Sequence, residues 1–132
     1  MPVYSSVWHG NLNDRGKPEN ALLSVMLSVR NTDPRHDMII TSVRYHDSSG
    51  RLLRDYLEQP RALTRLSSQG FFVENREAQG GAGASFVVSW QAEQPINAPI
   101  MESVHVYHWG TQAQAFTSRG QVIHSEKSAS QP

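Results

Sequence analysis

The chain has 132 residues, and its 12 basic and 12 acidic residues cancel, so a strong affinity for nucleic acid or another polyanion is not expected. Cysteine is absent, which excludes disulfides, thiolate metal sites and thiol catalysis. The length fits one domain with its own core, no apolar run approaches the roughly 20 residues of a membrane-spanning helix, and the first residues lack the charged and apolar segments of a signal peptide.

The first part of the chain predicts two strands with an exposed loop between them. A short strand covers about Val3–His9, and the loop Gly10–Pro18 is dense in turn-forming residues. Leu22–Arg30 then alternates apolar and polar residues with a period of two, as a half-buried strand does. This strand ends at the turn Asn31–Asp37, and its apolar face consists of Leu23, Val25, Leu27 and Val29.

The middle of the chain predicts a β-hairpin. Its turn is Asp47–Gly50, which has the composition of a four-residue connection. The strand that follows the turn, Leu52–Leu57, is the expected antiparallel partner of the strand before it. In that first strand the alternation predicts one face made of Ile39, Thr41, Val43 and Tyr45, with Met38, Ile40, Ser42, Arg44 and His46 on the other.

The second half of the chain predicts further short strands around a glycine-rich loop, Gln79–Gly83. Apolar residues alternate over Phe86–Ala92, and we expect Trp90 to be the central core residue. Other short elements are expected over about Ala62–Leu66, Phe71–Val73, Glu102–Tyr107 and Gln114–Thr117.

These patterns predict an all-β protein, a single-domain immunoglobulin-like antiparallel β-sandwich of about 7–9 short strands. The domain is expected to cover residues 1–124, and the polar tail 125–132 is expected to be disordered. One weak helical candidate, about Leu57–Leu66, contains Pro60 and lacks a sustained helical period.

Six histidines in a chain without cysteine raise the question of a metal site. His105 and His108 are three residues apart, so on a strand they project to opposite sides and cannot bind one ion without a bulge. His9 or His46 could join one of them across strands, and imidazole ligands suit zinc or copper. Surface or hydrogen-bonded histidines are the ordinary alternative.

The sequence contains no recognisable catalytic motif. Gly80–Ser85 is glycine-rich, but it lacks the Lys-Ser/Thr pair of a phosphate-binding loop and precedes a predicted strand instead of a helix. Positive φ angles, or close approach of the loop to a neighbour, explain these glycines better. No Gly-x-Ser-x-Gly elbow is present, and nothing places a serine beside a histidine. We therefore expect no enzymatic activity and no cofactor.

Aromatic residues could form a recognition surface, because such side chains are enriched where proteins bind one another. The candidate partner-binding residues are Trp8, His9, Tyr107 and Trp109, which lie in two short runs of aromatic and histidine residues. Alternatively, the rings cap the ends of the sandwich core and keep their polar atoms in water.

Four segments, taken in order along the chain, resemble a bacterial family catalogued as domain of unknown function 3124. The segments are Leu27–Pro34, Tyr45–Leu57, Gly80–Trp90 and Phe116–Gly120. The resemblance implies a small exported or lipid-anchored envelope protein without an established activity, and it supplies no catalytic residues.

The sequence therefore favours a non-enzymatic binding or structural domain of the bacterial cell envelope or periplasm. Its partner would be a protein or an envelope component, recognised through loops or through a sheet edge whose unpaired backbone groups accept an added strand. The envelope location follows from the resemblance alone. The alternative is a copper- or zinc-binding protein that uses His9, His46, His105 or His108.

Overall fold

Antiparallel strands make up nearly all of the regular structure. The computed structural model of the chain describes residues 1–74, 79–109 and 111–125, and at positions 108, 109 and 112 it describes the backbone alone. These residues form eleven strands and a single-turn 3₁₀ helix, Gly81–Gly83. The strands are β1 (Pro2–Val3), β2 (Ser6–His9), β3 (Glu19–Leu22), β4 (Ser24–Arg30), β5 (Met38–His46), β6 (Leu52–Asp55), β7 (Arg61–Leu63), β8 (Ser68–Val73), β9 (Ala84–Gln91), β10 (Ile100–Trp109) and β11 (Gln112–Arg119).

The strands form two main sheets that pack face to face, which confirms the predicted all-β sandwich. A five-stranded sheet has the order β1-β9-β5-β6, with β7 also paired to β5, and a four-stranded sheet has the order β11-β10-β4-β8. β2 and β3 form a separate two-stranded ribbon. The core cluster draws its buried side chains from both main sheets, with Val25 and Leu27 on one side and Val43 and Phe86 on the other.

Eleven strands exceed the predicted number because two expected strands are each divided. The expected strand Val3–His9 is divided because its start pairs with β9 as β1 and the rest pairs with β3 as β2. The expected strand Leu22–Arg30 is divided in the same way, since β3 pairs with β2 and β4 pairs with β8. The two breaks lie side by side, since the Leu23 N–H donates to the Ser5 carbonyl at 2.9 Å. The weak helical candidate contains β7 instead of a helix.

The alternation in β4 places its residues as predicted, whereas the alternation in β5 is interrupted. Val25, Leu27 and Val29 are fully buried, and Leu23 just before β4 is buried with them. In β5, Met38 and Ile40 are buried together with Val43 and Tyr45, although the alternation predicted that the two pairs lie on opposite faces. The pairing of β5 with β9 shifts between Ile40 and Ser42, so the intervening residue is a β-bulge. An extra residue reverses the faces of a strand.

The predicted hairpin is confirmed, with β5 and β6 paired across the turn. The Asp47 carboxylate stabilises this turn because its Oδ1 accepts hydrogen bonds from the N–H groups of Ser49 (3.0 Å) and Arg51 (2.9 Å). The hydrogen bond from the Ser49 hydroxyl, followed by the one from the Arg51 N–H, lowers the pKa of Asp47. A short local network therefore fixes the register of the two strands.

The prediction that Trp90 is the central core residue is wrong. Tyr45 and Phe86 are the largest fully buried side chains, and their ring centroids lie 5.0 Å apart in the centre of the core. Trp90 lies further along β9, half-buried against the margin of the core cluster. Burial therefore decreases along the inward face of β9 from Phe86 to Trp90.

The central strand pairs follow an immunoglobulin sandwich, but the last hairpin departs from it. β4 pairs with β8, and β5 pairs with β9, as strand B pairs with E and C with F in that fold. There, the strand after F joins the sheet of F. Here β10 crosses to the opposite sheet and pairs with β4. Within the described residues, the far side of β9 is consequently paired with β1 alone, which is two residues long.

Candidate functional site

The segment Leu27–Pro34, one of those that carry the family resemblance, has a structural role. Asn31 is fully buried just after β4. Its side-chain amide donates to the carbonyl groups of His36 (2.9 Å) and Leu63 (3.1 Å), and its Oδ1 accepts from the N–H of Asp33 (2.9 Å). These bonds satisfy backbone groups of the turn Asn31–Asp37 and of β7, so Asn31 is a structural residue.

Asp33 continues this network at the same end of the sandwich. One carboxylate oxygen accepts hydrogen bonds from the N–H groups of Arg35 (2.8 Å) and His36 (3.0 Å). The other accepts from the N–H of Asn97 (3.1 Å), in the connection between β9 and β10. The bond from Arg35 is the main reason that the pKa of Asp33 is lowered. The carboxylate thus stabilises its own turn and ties the connection between β9 and β10 to it.

The glycine-rich loop is packed against its neighbours, as the sequence analysis expected. The Ser48 hydroxyl donates to the Gly80 carbonyl and accepts from the Gly83 N–H, each at 3.0 Å. The Ser5 N–H donates to the Gly81 carbonyl at 3.0 Å. A Cβ atom at Gly80 would overlap the hydroxyl of Tyr45. The close approach of the Tyr45 side chain explains why position 80 is a glycine.

His105 is a fully buried histidine in β10 whose two ring nitrogens both contact backbone. The Tyr4 N–H donates to Nε2 at 3.0 Å, and Nδ1 lies 3.3 Å from the carbonyl oxygen of Phe116. Since a carbonyl can only accept, Nδ1 carries the proton and the ring is neutral. Burial lowers the pKa of His105, while the hydrogen bond to Phe116 acts in the opposite direction.

The other three candidate metal ligands lie at separate places in the fold. His9 is in β2, where its Nδ1 is 3.6 Å from a carboxylate oxygen of Glu19. His46 ends β5, and its buried Nδ1 has no hydrogen-bond partner among the described residues. His108 belongs to β10, and its side chain lies outside the described part. The described residues contain no group of three or more histidine, aspartate or glutamate side chains that could hold a metal ion.

The candidate aromatic residues are distributed over two sheets. Trp8 lies in the two-stranded ribbon with 70% of its surface exposed. Tyr107 is half-buried in the four-stranded sheet, and Trp109 ends the same strand with a side chain outside the described part. The aromatic contacts of the described residues involve Tyr4, Tyr45, Tyr56, Phe86, His105 and Phe116. The role of Trp8, His9, Tyr107 and Trp109 in binding a partner stays a prediction.

Among the described residues, no strand pairs with the outer edge of β9 beyond the residues that pair with the segment Met1–Val3. The Phe86 N–H donates to the Met1 carbonyl at 2.9 Å, and the Met1 amine donates to the Phe86 carbonyl at 2.7 Å. The bulge lies on β5, so β9 stays regular, and Val88 and Trp90 direct their N–H and C=O groups to the same side as Phe86. No hydrogen bond among the described residues uses these groups of Val88 and Trp90.

An apolar cleft of about 120 Å³ lies beside this open edge. Val88 and Trp90 line it from β9, and Met1 lies beside them. Met101 lines it from β10 and Pro99 from the connection before β10, and the segment Gln121–His124 completes its wall. None of the described residues that line the cleft is Asp, Glu, Lys or Arg. Unpaired backbone groups beside an apolar cleft are the two components of a strand-binding groove.

A second cleft, of about 550 Å³, lies at the other side of the sandwich between Tyr56–Arg61 and Gln69–Phe72. It borders the edge strand β8, but its lining includes the charged residues Glu58 and Arg61. In addition, the Gly70 carbonyl in β8 already accepts a hydrogen bond from the Gln69 side chain at 3.0 Å. The edge of β9 is therefore the better candidate site.

A family model described as "Protein of unknown function (DUF3124)" matches residues 1–123. The chain belongs to this family. No curated protein and no solved structure matches the chain significantly. None of the described residues belongs to a helix with the length and apolar character needed to cross a bilayer.

Sequence reasoning expected a sheet edge as one possible binding surface, but it did not identify which edge. The usable signal is the connection Ala92–Pro99, which contains two prolines and is longer than a hairpin turn. A connection of this kind indicates that β10 does not fold back beside β9. The strand that would cover β9 is thereby moved to the other sheet.

Proposed function

We propose that this domain binds an extended segment of another envelope protein by adding that segment as a strand to β9. The observation that carries the proposal is the pair of outward N–H and C=O groups at Val88 and Trp90, which continue the edge already used by β1. Main-chain hydrogen bonds supply affinity in this kind of recognition, and side-chain pockets supply specificity.

The existing pairing of β1 defines how the partner strand would lie. Val3 pairs with Ala84, and Met1 exchanges hydrogen bonds with Phe86. A segment that follows the same line antiparallel to β9 would place alternate residues opposite Val88 and Trp90. Both outward N–H and C=O pairs of β9 would then be satisfied.

The envelope location and the non-enzymatic character belong to the proposal. The family resemblance supports an exported protein, and strand addition requires recognition alone, without a chemical step. We therefore expect the partner to be a protein with an accessible extended segment, such as a terminus or a linker between domains.

The test begins with a random peptide library displayed on phage and selected against the immobilised domain. Each selected peptide is then synthesised in two forms, N-methylated at one or the other set of alternate residues. Methylation of the residues that donate to β9 should abolish binding, whereas methylation of the solvent-facing set should leave it nearly unchanged. The protein itself is not altered, so folding does not affect the comparison.

Backbone NMR of the labelled domain identifies the edge that the peptide uses. The amides of Val88 and Trp90 should shift and become protected from hydrogen exchange when the peptide binds. Protection at β8 or β11 instead, an equal effect of both N-methylated forms, or a library that yields no binding peptide would each contradict the proposal.

A further inference from the structure

The wall of the cleft opposite β9 is formed by a segment that exposes two large apolar side chains. Val122 is 68% exposed and Ile123 is 77% exposed, although both line the cleft. The segment is anchored at its start, because the Gly120 N–H donates to the Met101 carbonyl at 2.8 Å. Val122 and Ile123 are therefore held beside the open edge with most of their apolar surface in water.

The pleat of the sheet determines which partner side chain would enter the cleft. Val88 packs against the core, so its side chain points inward from β9. Residues directly opposite each other on paired strands project to the same face. A partner residue opposite Val88 would consequently direct its side chain into the cleft, between β9 and the segment Gln121–His124.

The chemistry of the cleft favours one class of side chain. Apart from the Met1 amine, which donates to the Phe86 carbonyl, and the His124 ring, its described lining contains no charged or titratable group. Most of the surface that a partner side chain would meet is therefore apolar. An aliphatic side chain would cover the apolar surface of Val122 and Ile123. The volume of about 120 Å³ suits a single branched side chain better than a large aromatic one.

We infer that Gln121–His124 acts as a clamp that selects partner segments carrying an aliphatic residue opposite Val88. This inference rests on the proposed strand addition and names the class of segment that is recognised. Binding would bury the clamp residues, whereas the free protein leaves them exposed.

The experiment uses synthetic peptides from the phage selection, with the residue opposite Val88 varied from isoleucine to alanine and to serine. Affinities are measured by fluorescence anisotropy for the parent and for the double variant Val122→Ser/Ile123→Ser. Leu12→Ser is the matched control, since Leu12 is also a 69% exposed aliphatic residue but lies outside the cleft lining. Melting curves should be alike for all three proteins, because the replaced side chains are exposed.

The parent should prefer isoleucine over alanine, and isoleucine over serine by about tenfold or more, because the larger aliphatic side chain buries more apolar surface. The double variant should lose most of that preference, while Leu12→Ser should retain it. A full preference for isoleucine in the double variant, or equal binding of all three peptides to the parent, would overturn the clamp. Strand addition would still stand in that case if alternate N-methylation kept its effect, so the two proposals can fail separately.

Discussion

The two ends of β9 differ in how completely the fold satisfies them. At its start, next to the glycine-rich loop, backbone groups are paired with β1 and β5, and Phe86 is fully buried. At its end, the outward backbone groups of Val88 and Trp90 are unused among the described residues, and an apolar cleft lies beside them. The first end contributes to the core, and the second is the proposed binding surface. One strand thus changes from core element to candidate recognition edge within its own length.

The largest expected change in stability comes from removing a large side chain at either end of β9. Phe86→Ala should lower the free energy of unfolding by about 3–5 kcal/mol, since the ring packs against Tyr45 and Tyr56. Trp90→Ala should cost about 1–2 kcal/mol, because the larger ring is only half-buried. Urea unfolding of both variants gives the two values. Equal losses would mean that the end of β9 is as deeply packed as its start.

A second test addresses the buried network that holds the connection after β9. Asn31→Ala should cost about 2–3 kcal/mol, because it leaves two buried carbonyl groups and one N–H without their partner. Asn20→Ala is the matched control, since Asn20 is an exposed residue of β3 and should change stability by less than about 0.5 kcal/mol. If the two variants unfold alike, water replaces the Asn31 side chain without penalty.

Local patterns in the sequence predicted the strands because they depend on neighbouring residues. The period of two in β4 placed Leu23, Val25 and Leu27 on the buried face, and the turn Asp47–Gly50 predicted the β5–β6 pairing. The bulge in β5 escaped prediction, since one extra residue leaves no compositional mark. It moved Ile40 to the core face although the overall alternation seemed regular.

The candidate edge depended on information that no local pattern contains. Trp90 was expected at the centre because the largest apolar side chain in an alternating strand is usually buried. Its actual position follows from β10 pairing with β4 in the other sheet. β10 is placed by contacts that are distant in sequence: it pairs with β4, and the Asn97 N–H in the connection before it donates to Asp33. The residues of the family resemblance could be located in advance, but their structural role could not.

The close packing of the glycine-rich loop permits a smaller test. Gly80→Ala should lower the free energy of unfolding by about 1–3 kcal/mol, because the added methyl group would meet the Tyr45 hydroxyl. Gly80 has a φ of −63°, so the backbone conformation itself accepts alanine. Gly70→Ala is the control, since the nearest atom to its new Cβ would be 3.9 Å away. Equal melting temperatures for the two variants would show that the loop moves aside freely.

The smallest expected effect is a pH dependence that originates at His105 in β10, whose ring accepts a hydrogen bond from Tyr4 between β1 and the ribbon. Burial lowers the pKa of His105 in the folded protein. In the unfolded chain the same ring has the ordinary histidine pKa of about 6.5, so below that pH the unfolded chain binds more protons than the folded protein. The free energy of unfolding should therefore be constant above that pH and should decrease as the pH falls from it to the folded pKa. For one proton the slope cannot exceed about 1.4 kcal/mol per pH unit.

Chemical unfolding at several pH values between about 7 and 5 measures this slope. His105→Gln removes the titrating ring and should flatten the dependence, even if the variant is less stable throughout. Asn20→Ala should keep the parent's slope, because it removes no titratable group. A parent protein whose stability does not change across this range would contradict the neutral buried ring, since protonation would then disturb neither the Tyr4 N–H contact to Nε2 nor the stacking on Phe116.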